Sequence, residues 1–500
     1  MGADPAGGWG GMRFGSSERE TAVLGAGPGG LATAYWLSRH GAPVTVFERA
    51  PVVGGLARTV ERDGYRFDIG GHRWFSKVDA VNDLYREVVG DESIWVHRTS
   101  RIYFDGQYID YPLRVGNALM AIGPARAARA VADYGGARLA QRLRPRPVVS
   151  MEDAYVDQYG RTLYELFFAR YSEKVWGRPC AEMSGDWVSQ RTKGMSLLTA
   201  VRDALVSSNG AVQSLIDSFM YPRRGYGRLS ERLAEGVRAA GNEVRLGSGV
   251  VQVRRGGDRI AGIVVADADG REELVEAAQF VSSIPLTVLC TIMAPAAPRE
   301  VLAAAEALTF RNLVTVNLML DRERVTPDTW LYVHDRAIPF GRLHEPKNWS
   351  VDLVPDRSKT SIVAEYFCSF GDPTWAASDD ILVERTARHL ADDLGFIARD
   401  EVLGGFAVRA PRAYPSYTIG YERPLAILKA FVSSFDNLQI IGRYGTFRYN
   451  NADHSVETGL LAAKNILGEA HDLDLVNAAA DYHEIKRVNG RRSKVAGLKV

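Results

Sequence analysis

The chain has few cysteines, almost no net charge and no long apolar run, and each shortage excludes a class of protein. Its three cysteines, Cys180, Cys290 and Cys368, lie far apart with no CxxC or metal-ligand spacing, so we expect neither a disulfide framework nor a metal site. That usage is typical of a protein of the reducing cytoplasm. The 61 basic and 60 acidic side chains nearly cancel, so we expect no nucleic acid and no membrane as partner. No apolar run approaches the roughly 18 residues that span a bilayer.

A chain of 500 residues is too long to fold around one simple hydrophobic core, and shifts in composition divide it into segments. The glycine-rich residues 1–20 are predicted to form a disordered leader. An Ala/Arg-rich helix is expected at 124–143, and we interpret its arginines as a solvated face. The predicted fold is α/β. The predicted boundaries are 21–80, 225–300 and 436–470 for a discontinuous α/β domain, 81–224 for a mostly helical region, 301–435 for a β-rich domain and 471–500 for the tail.

A glycine motif follows the first predicted strand, Thr21–Leu24, and opens a helix. A GxGxxG pattern alone is a weak signal, but a strand before it and a helix after it give it physical meaning. Gly25 permits the tight turn, Gly27 lets a pyrophosphate approach the backbone, and Gly30 lets the helix pack on the strand. Glu48 ends the second predicted strand, where a carboxylate can accept hydrogen bonds from a ribose hydroxyl. The pattern therefore predicts a dinucleotide site.

Two further glycine turns favour FAD over NAD as the dinucleotide. Gly54-Gly55-Leu56-Ala57-Arg58 follows the second strand, and Gly442-Arg443 follows an apolar C-terminal strand and opens another helix. Two glycine turns at the ends of one fold suit a long cofactor. The predicted α/β fold is therefore a Rossmann-like FAD-binding domain of the GR2 type, with the helical region 81–224 inserted and 301–435 as a β-rich substrate domain. The predicted FAD contacts are Gly25, Gly27, Pro28, Gly29, Gly30, Glu48, Arg49, Gly55, Leu56, Arg58, Gly71, Val250, Gly442, Arg443, Asn451, Ala452 and Asp453.

These motifs together resemble the flavoprotein group of amine oxidases, phytoene desaturases and UDP-galactopyranose mutases. Three later stretches are similar to the mutases in particular, namely LFFARYSEKVWGRP (166–179), LTFRNL (308–313) and GRYGTFRYNNAD (442–453). The similarity extends, with gaps, over roughly residues 20–470.

The resemblance implies roles for individual residues in a nucleotide-sugar site. It implies that Tyr171 contacts the base, Trp176 lies beside the sugar and flavin, and Arg191 and Arg311 face the diphosphate. A diphosphate needs fixed, charge-assisted donors, which arginine supplies. His72 is expected near the flavin ring as a neutral imidazole. The implied catalytic residues are His72, Arg191, Arg311, Trp176 and Tyr449, and the implied substrate contacts are Phe167, Tyr171, Trp176, Arg191, Arg311, Tyr414, Tyr449 and Asn450.

The sequence also departs from the mutase pattern. Phe75 stands where the mutases have a second histidine, and Asn451 replaces an acid of their C-terminal motif. The segment Tyr221–Gly241 is more like the oxidases and desaturases, an alignment that places Val250 at the adenine end. These differences make UDP-galactose itself an unexpected substrate.

Two reactions are therefore kept open. The first is a pyranose–furanose mutase acting on a UDP- or GDP-linked hexose, in which the reduced flavin N5 attacks the anomeric carbon. That enzyme would need an external reductant such as NAD(P)H. The second is an FAD-dependent oxidoreductase acting on a sugar or amine. The oligomeric state is left open, with a homodimer as one option.

Overall fold

A computed structural model describes residues 20–111, 122–144, 146–188 and 218–478. The strands are β1 Thr21–Leu24, β2 Val44–Phe47, β3 Thr59–Arg62, β4 Tyr65–Asp68, β5 Ser93–His97, β6 Ser100–Phe104, β7 Gln107–Asp110, β8 Ser218–Pro222, β9 Glu243–Arg245, β10 Gly249–Gly256, β11 Arg259–Ala266, β12 Glu272–Val275, β13 Gln279–Ser282, β14 Met293–Ala294, β15 Phe310–Leu320, β16 Trp330–Val333, β17 Arg342–His344, β18 Thr360–Cys368, β19 Val402–Pro415 and β20 Leu438–Ile440.

Helices connect and cover these strands. They are α1 Pro28–Arg39, α2 Asp79–Val89, α3 Pro124–Leu143, α4 Met151–Tyr159, α5 Arg161–Leu163, α6 Arg170–Trp176, α7 Arg228–Ala239, α8 Leu286–Thr291, α9 Arg299–Ala307, α10 Pro373–Ala376, α11 Asp379–Arg388, α12 Glu422–Val432, α13 Gly442–Gly445 and α14 Ala452–Ile466. A π-helical turn, Tyr164–Ala169, joins α5 to α6, so this stretch is one continuous irregular helix.

A five-stranded parallel sheet carries the glycine motifs, in the order β20-β13-β1-β2-β9. Its strands are short and buried on both faces, as parallel strands between helical layers must be. In register, Val23 lies opposite Val46 on one side and Val281 on the other. The carboxyl ends of four of the strands are followed by Gly25, Glu48, Ser283 and Ile441. Ligands of open α/β sheets bind at this edge.

Two helices cross closely over this sheet. A Cβ on Gly459 of α14 would lie 2.2 Å from the Gly29 carbonyl oxygen of α1, and a Cβ on Gly29 would lie 2.7 Å from the Ser455 carbonyl oxygen. The Thr33 hydroxyl donates to the Gly459 carbonyl at 3.0 Å. Only glycine permits this crossing, which brings the N-termini of α1 and α14 to the same edge of the sheet.

A second body is built on a seven-stranded sheet in the order β19-β15-β18-β17-β16-β6-β7. The long strands β15, β18 and β19 are antiparallel, with Val316 opposite Ala364 and Ala407. A smaller sheet, β12-β11-β10-β14, contains the antiparallel hairpin of β10 and β11. The predicted α/β class, with a Rossmann-like sheet and a β-rich region, is confirmed.

The segment 81–224, predicted as mostly helical, contains strands as well. Strand β6 pairs in parallel with β16, with Ile102 opposite Tyr332, and β5 pairs with β8. The pairing partners are distant in the chain, so local periodicity did not reveal them. Within the described residues, no helix is long and apolar enough to cross a membrane. The three cysteines are buried and unpaired, and the described residues contain no cluster of ligands suited to a metal ion.

Candidate functional site

The first glycine turn joins β1 to α1. Gly25 has a φ of +102°, and a Cβ there would lie 2.4 Å from the Ser283 hydroxyl oxygen. A Cβ on Gly30 would lie 2.1 Å from the Gly25 carbonyl oxygen, so a larger residue would push α1 off the strand. A Cβ on Gly27, in contrast, would meet nothing within 4 Å. Pro28 begins α1. The turn thus leaves open space at a helix N-terminus, where free N–H groups favour a pyrophosphate.

The carboxylate of Glu48 lies beside this turn. Its Oε2 accepts a hydrogen bond from the Ala26 backbone N–H at 2.9 Å, which fixes the side chain at the end of β2. The carboxylate has more lone pairs than this hydrogen bond uses, so the half-buried group can also accept a hydrogen bond from a ribose hydroxyl. The exposed Arg49 side chain runs along Gly249, next to Val250 on β10. The predicted FAD contacts Glu48, Arg49 and Val250 therefore lie on adjacent segments.

A second turn lies against the first. Gly54, at a φ of +104°, donates its N–H to the Ala26 carbonyl at 2.8 Å. A Cβ on Gly55 would lie 3.6 Å from the Cα of Gly27 in the first turn. Arg58 donates to the Gly55 carbonyl at 3.0 Å, and burial lowers the pKa of its guanidinium. The half-buried Leu56 packs against the main core. The turn places a cationic group within the predicted cofactor region.

The C-terminal turn follows β20. Gly442, at a φ of +71°, donates its N–H to the Thr458 hydroxyl at 3.0 Å. Arg443 donates from Nε to the Asn450 carbonyl at 2.7 Å and from Nη1 to the Ala413 carbonyl at 3.0 Å. These carbonyls fix the guanidinium between the C-terminal turn and β19, the strand that contains Ala413.

Helix α14 begins beside that turn. The backbone N–H of Asn451 donates to His454 Nδ1 at 3.1 Å, which caps the helix start. Ala452 is half-buried, and Asp453 is buried within the first turn. Burial raises the pKa of Asp453 to about 7. The predicted cofactor contacts 451–453 thus form a helix N-terminus whose one acid is partly neutral at physiological pH.

His72 lies in a polar site between the two bodies of the chain, near Arg443 of the C-terminal turn and Arg342 of β17. Its Nδ1 is 3.1 Å from the Gly70 carbonyl, so that nitrogen carries the hydrogen and Nε2 is left as an acceptor. Burial and the nearby Arg443 lower the pKa of His72 to about 4, as the prediction of a neutral imidazole requires. Gly71 donates its N–H to Glu365 at 3.2 Å, which links this loop to β18.

Arg342 and Glu365 form an ion pair across β17 and β18, where they are direct register partners. Their side chains approach to 2.6 Å, and Arg342 also donates to the Tyr414 hydroxyl at 2.8 Å. The guanidinium lies 5.1 Å from the centre of the Phe367 ring. The Glu365 side chain is buried, whereas that of Arg342 is 21% exposed. A fixed cation that is partly exposed is suited to an anionic ligand.

Aromatic rings pack beside this pair. Tyr414 and Tyr449 stack with ring centres 5.5 Å apart, and the Arg443 guanidinium lies 5.3 Å and 4.8 Å from them. Trp187 meets Tyr449 edge-on at 4.6 Å, and Trp176 packs in turn on Trp187 at 4.7 Å. The predicted residues Tyr414 and Tyr449 are thus brought together, whereas the buried Trp176 lies one ring behind them.

Tyr171 also lies near Arg342. It stacks on His334 at 4.7 Å and meets Tyr332 edge-on at 5.6 Å, and burial raises the pKa of its hydroxyl. One turn further along α6, the Lys174 ammonium group donates to backbone carbonyls of the loop that leads into β17. Those acceptors are Val333 at 2.9 Å, Asp335 at 2.5 Å, Ile338 at 2.9 Å and Phe340 at 3.3 Å. Helix α6 therefore holds the strand that carries Arg342.

The predicted diphosphate arginines are placed differently from one another. Arg311, on β15, donates to four protein acceptors, so one of its five N–H groups is left. The acceptors are the Val175 carbonyl at 3.0 Å, the Phe367 carbonyl at 2.9 Å, the Ser369 hydroxyl at 2.5 Å and Asp372 at 3.4 Å. Arg191 lies outside the described residues. Diphosphate binding by these two residues stays a prediction.

Two other predicted substrate contacts are turned into the protein. Phe167 is buried in the core against Phe104, with ring centres 5.3 Å apart. Asn450 is buried, and its side-chain oxygen accepts from Asn477 at 3.2 Å. In this structure Phe167 packs within the core, and Asn450 stabilises the loop that carries Tyr449.

Sequence reasoning missed Arg342, Glu365 and Lys174. Arg342 and Glu365 meet only because β17 and β18 pair, and a strand register of this kind leaves no local signal. Lys174 lay within a quoted motif, but its four acceptors are more than 150 residues further along the chain.

Comparison with known proteins gives the same picture. The sequence profile of the family described as flavin containing amine oxidoreductase matches residues 28–467. The phytoene dehydrogenase of Streptomyces griseus is 31% identical over 270 residues, which are 48% of this chain and 50% of that protein. The mitochondrial protoporphyrinogen oxidase of Nicotiana tabacum is 49% identical over 57 residues, 11% of each chain. The chain thus spans half or less of the length of these relatives.

Among solved structures, reduced UDP-galactopyranose mutase superposes with a TM-score of 0.80 at 22% identity, covering 93% of this chain and 99% of that one. Putrescine oxidase bound to putrescine superposes with a TM-score of 0.61 at 19% identity, covering 90% and 99%. Identities this low establish a shared fold only. The resemblance to a mutase-like flavoprotein within the amine oxidase group is confirmed at that level.

Proposed function

The chain belongs to the flavin containing amine oxidoreductase family, and from that premise we propose that it is a flavin-dependent mutase that contracts the ring of a nucleotide-linked hexose. Its cofactor is FAD. The glycine turns fit that group, because they leave open space at Gly27 and place Glu48 beside it. The reduced flavin supplies the nucleophile for the sugar, while the chain binds and orients the substrate.

The observation that carries the proposal is the Arg342 guanidinium, a fixed cation whose side chain is 21% exposed. It is held by Glu365 and by the Tyr414 hydroxyl. A substrate diphosphate can accept from the exposed part of this guanidinium, and a charge-assisted hydrogen bond would hold it as the sugar bond breaks. The stacked Tyr414 and Tyr449 supply flat surfaces and hydroxyl groups at the same place. Arg191 and Arg311 are proposed to bind the same diphosphate.

His72 is proposed to orient the sugar. Because its pKa is about 4, the imidazole is neutral at physiological pH, and its Nε2 can accept a hydrogen bond from a sugar hydroxyl. This site needs no nucleophilic side chain, since the group that attacks belongs to the cofactor. The base is left as uracil or guanine, because the Tyr171 ring can stack on either.

A second candidate is an FAD-dependent oxidoreductase acting on a sugar or amine. It is favoured by the names of the curated relatives, which include a dehydrogenase and an oxidase. A lipid substrate like that of the phytoene dehydrogenase would require an apolar site. The charged pair Arg342 and Glu365 makes this site unsuited to a lipid.

Two parallel reactions separate the two candidates. In the first, the FAD-loaded protein is reduced anaerobically with dithionite and incubated with UDP-, GDP- and TDP-hexoses, and products are separated by chromatography. The mutase predicts a ring-contracted isomer with no net oxidation of the flavin. In the second, the protein with oxidised flavin is mixed with sugars or amines, first without oxygen and then in air. Bleaching of the oxidised flavin, with oxygen-dependent turnover and no isomer in the first reaction, would establish the oxidoreductase instead. An external reductant such as NAD(P)H can replace dithionite in a parallel reaction.

A further inference from the structure

Asp68 ends β4 with its carboxylate buried in the protein. One carboxylate oxygen accepts hydrogen bonds from the Thr59 hydroxyl at 2.6 Å and from the Tyr226 N–H at 3.0 Å. The other oxygen accepts from the Tyr221 hydroxyl at 2.6 Å. Thr59 is the register partner of Asp68 on β3, whereas the two tyrosines lie 153 and 158 residues further along the chain. One acid therefore joins two segments that are distant in sequence.

The charge of this carboxylate costs stability. Burial raises the pKa of Asp68 to about 6, although the three donors oppose that rise. Stability that is present below the ordinary value of 3.8 is therefore lost as pH rises through about 6, because the ionised group is less favourable in the folded protein. The three donors are two hydroxyl groups and one backbone N–H, all neutral. A neutral cross-strand pair would fasten the hairpin of β3 and β4 without this cost.

The first of the two segments is the second glycine turn. Thr59 directly follows Arg58, the last residue of that turn and a predicted FAD contact. The Thr59 hydroxyl donates to Asp68 and accepts from the Gly227 N–H at 2.9 Å. Cβ atoms on Gly225 and Gly227 would lie 2.4 Å and 2.6 Å from atoms of Thr59, so both glycines pack tightly on it. These contacts fix the position of the chain at Arg58.

The second segment supports the loop that contains His72. The Tyr226 ring lies 5.2 Å from the His72 ring. The Tyr221 ring lies 5.3 Å from the Trp349 ring, which a Cβ on Gly71 would meet at 3.4 Å. Gly71 is a predicted FAD contact, and His72 is the residue expected near the flavin ring. By holding the Tyr221 hydroxyl and the Tyr226 N–H, the carboxylate fixes the aromatic rings that pack against this loop.

We propose that Asp68 is a positioning residue for FAD, whose carboxylate holds the Arg58 turn and the His72 loop in the arrangement that binds the cofactor. Asp68 acts through its neighbours in this role. The role requires two acceptor oxygens, one for each side of the carboxylate, and an amide would offer only one. The proposal concerns the FAD of the family and does not depend on which reaction the flavin performs.

The first test measures FAD release from the Asp68→Asn variant. The amide keeps the shape of the carboxylate but turns an NH2 group toward one set of donors. The FAD-loaded protein is diluted, and the flavin fluorescence that appears as FAD dissociates is recorded. We expect release at least about tenfold faster than from the wild type, because a buried donor loses its acceptor. Visible circular dichroism of the bound flavin should change as well, since it reports the geometry of the flavin's surroundings.

A pair of variants at Thr59 decides the question if Asp68→Asn does not fold. Thr59→Val removes the hydroxyl with little change of shape, so the hydrogen bonds with Asp68 and Gly227 are both lost, and FAD should leave several-fold faster. Thr59→Ser keeps the hydroxyl and should restore slow release.

The matched control is Glu345→Gln. Glu345 is also a buried carboxylate that accepts from a hydroxyl and a backbone N–H, those of Thr360 at 2.6 Å and Thr326 at 2.8 Å. Neither partner is a predicted FAD contact. The variant should lower the urea midpoint of unfolding and leave the rate of FAD release within about twofold of the wild type.

Two results would overturn the proposal. The first is wild-type FAD release from Asp68→Asn and Thr59→Val with a urea midpoint lowered as in Glu345→Gln, which would leave Asp68 as a fastening of the hairpin only. The second is equal release from Thr59→Val and Thr59→Ser, since the hydroxyl would then not matter. No sugar nucleotide enters these measurements, so their failure is distinct from a failure of the proposed mutase reaction.

Discussion

Replacement of Lys174 by methionine removes one ammonium group from four backbone carbonyls at once. Three of these contacts are 2.9 Å or shorter and the fourth is 3.3 Å. A hydrogen bond to a charged group contributes roughly 1.5–3 kcal/mol, but the contributions do not add, because carbonyls freed on a loop can reach water. We therefore expect a loss of about 1.5–3 kcal/mol in the free energy of unfolding, the contribution of one hydrogen bond to a charged group. The loop before β17 should loosen, and the placement of Arg342 with it.

Urea unfolding of the FAD-loaded protein, followed by circular dichroism and flavin fluorescence, measures this change. The control is Lys464→Met, at a partly exposed lysine whose contact with Glu469 is 3.8 Å, for which we expect a change within about 0.5 kcal/mol. The reasoning is refuted if Lys174→Met costs less than about 1 kcal/mol, since the four carbonyls would then not depend on the ammonium group.

The remaining predictions concern pH and helix packing. Burial lowers the pKa of His72 to about 4 and that of His344 to about 3, so stability present above the unfolded-state value of about 6.5 is lost as pH falls toward 4. The double variant His72→Gln/His344→Gln should reduce the slope of the unfolding free energy against pH by up to about 1.4 kcal/mol per pH unit for each histidine. Urea unfolding at a series of pH values measures this slope, and an unchanged slope would contradict the prediction. Gly459→Ala places a methyl group 2.2 Å from the Gly29 carbonyl, so we expect it to lower the melting temperature and weaken FAD retention. Gly136→Ala, which meets nothing within 4 Å, should leave FAD retention unchanged, and equal behaviour of the two variants would show that the helix crossing is not tight.

The cofactor half of the site could be predicted because its residues are close in sequence to the turns they build. Gly25, Gly30 and Glu48 belong to one strand–turn–helix–strand unit, and each is required by geometry within that unit. The Gly442-Arg443 turn was found for the same reason, since a short apolar strand precedes it and a helix follows.

The substrate half could be predicted only in part. Tyr414 and Tyr449 were named from a resemblance, and the structure stacks them. Arg342 and Glu365 were missed, because strand pairing brings them together across a loop and a turn that carry no motif. Arg311 was found, but its four protein contacts depend on segments that no local pattern connects.

Calorimetric titration of UDP and GDP into the FAD-loaded protein and its Arg342→Lys variant tests the central claim most directly. Lysine keeps a cation beside Glu365 but loses the planar fork and its Nε donor. We predict that the wild type binds at least one of the two nucleotides, and that the variant binds it more weakly by roughly 2–5 kcal/mol. Failure of the wild type to bind either nucleotide, or equal affinity in the two proteins, would contradict the assignment of the site at Arg342 to a substrate diphosphate.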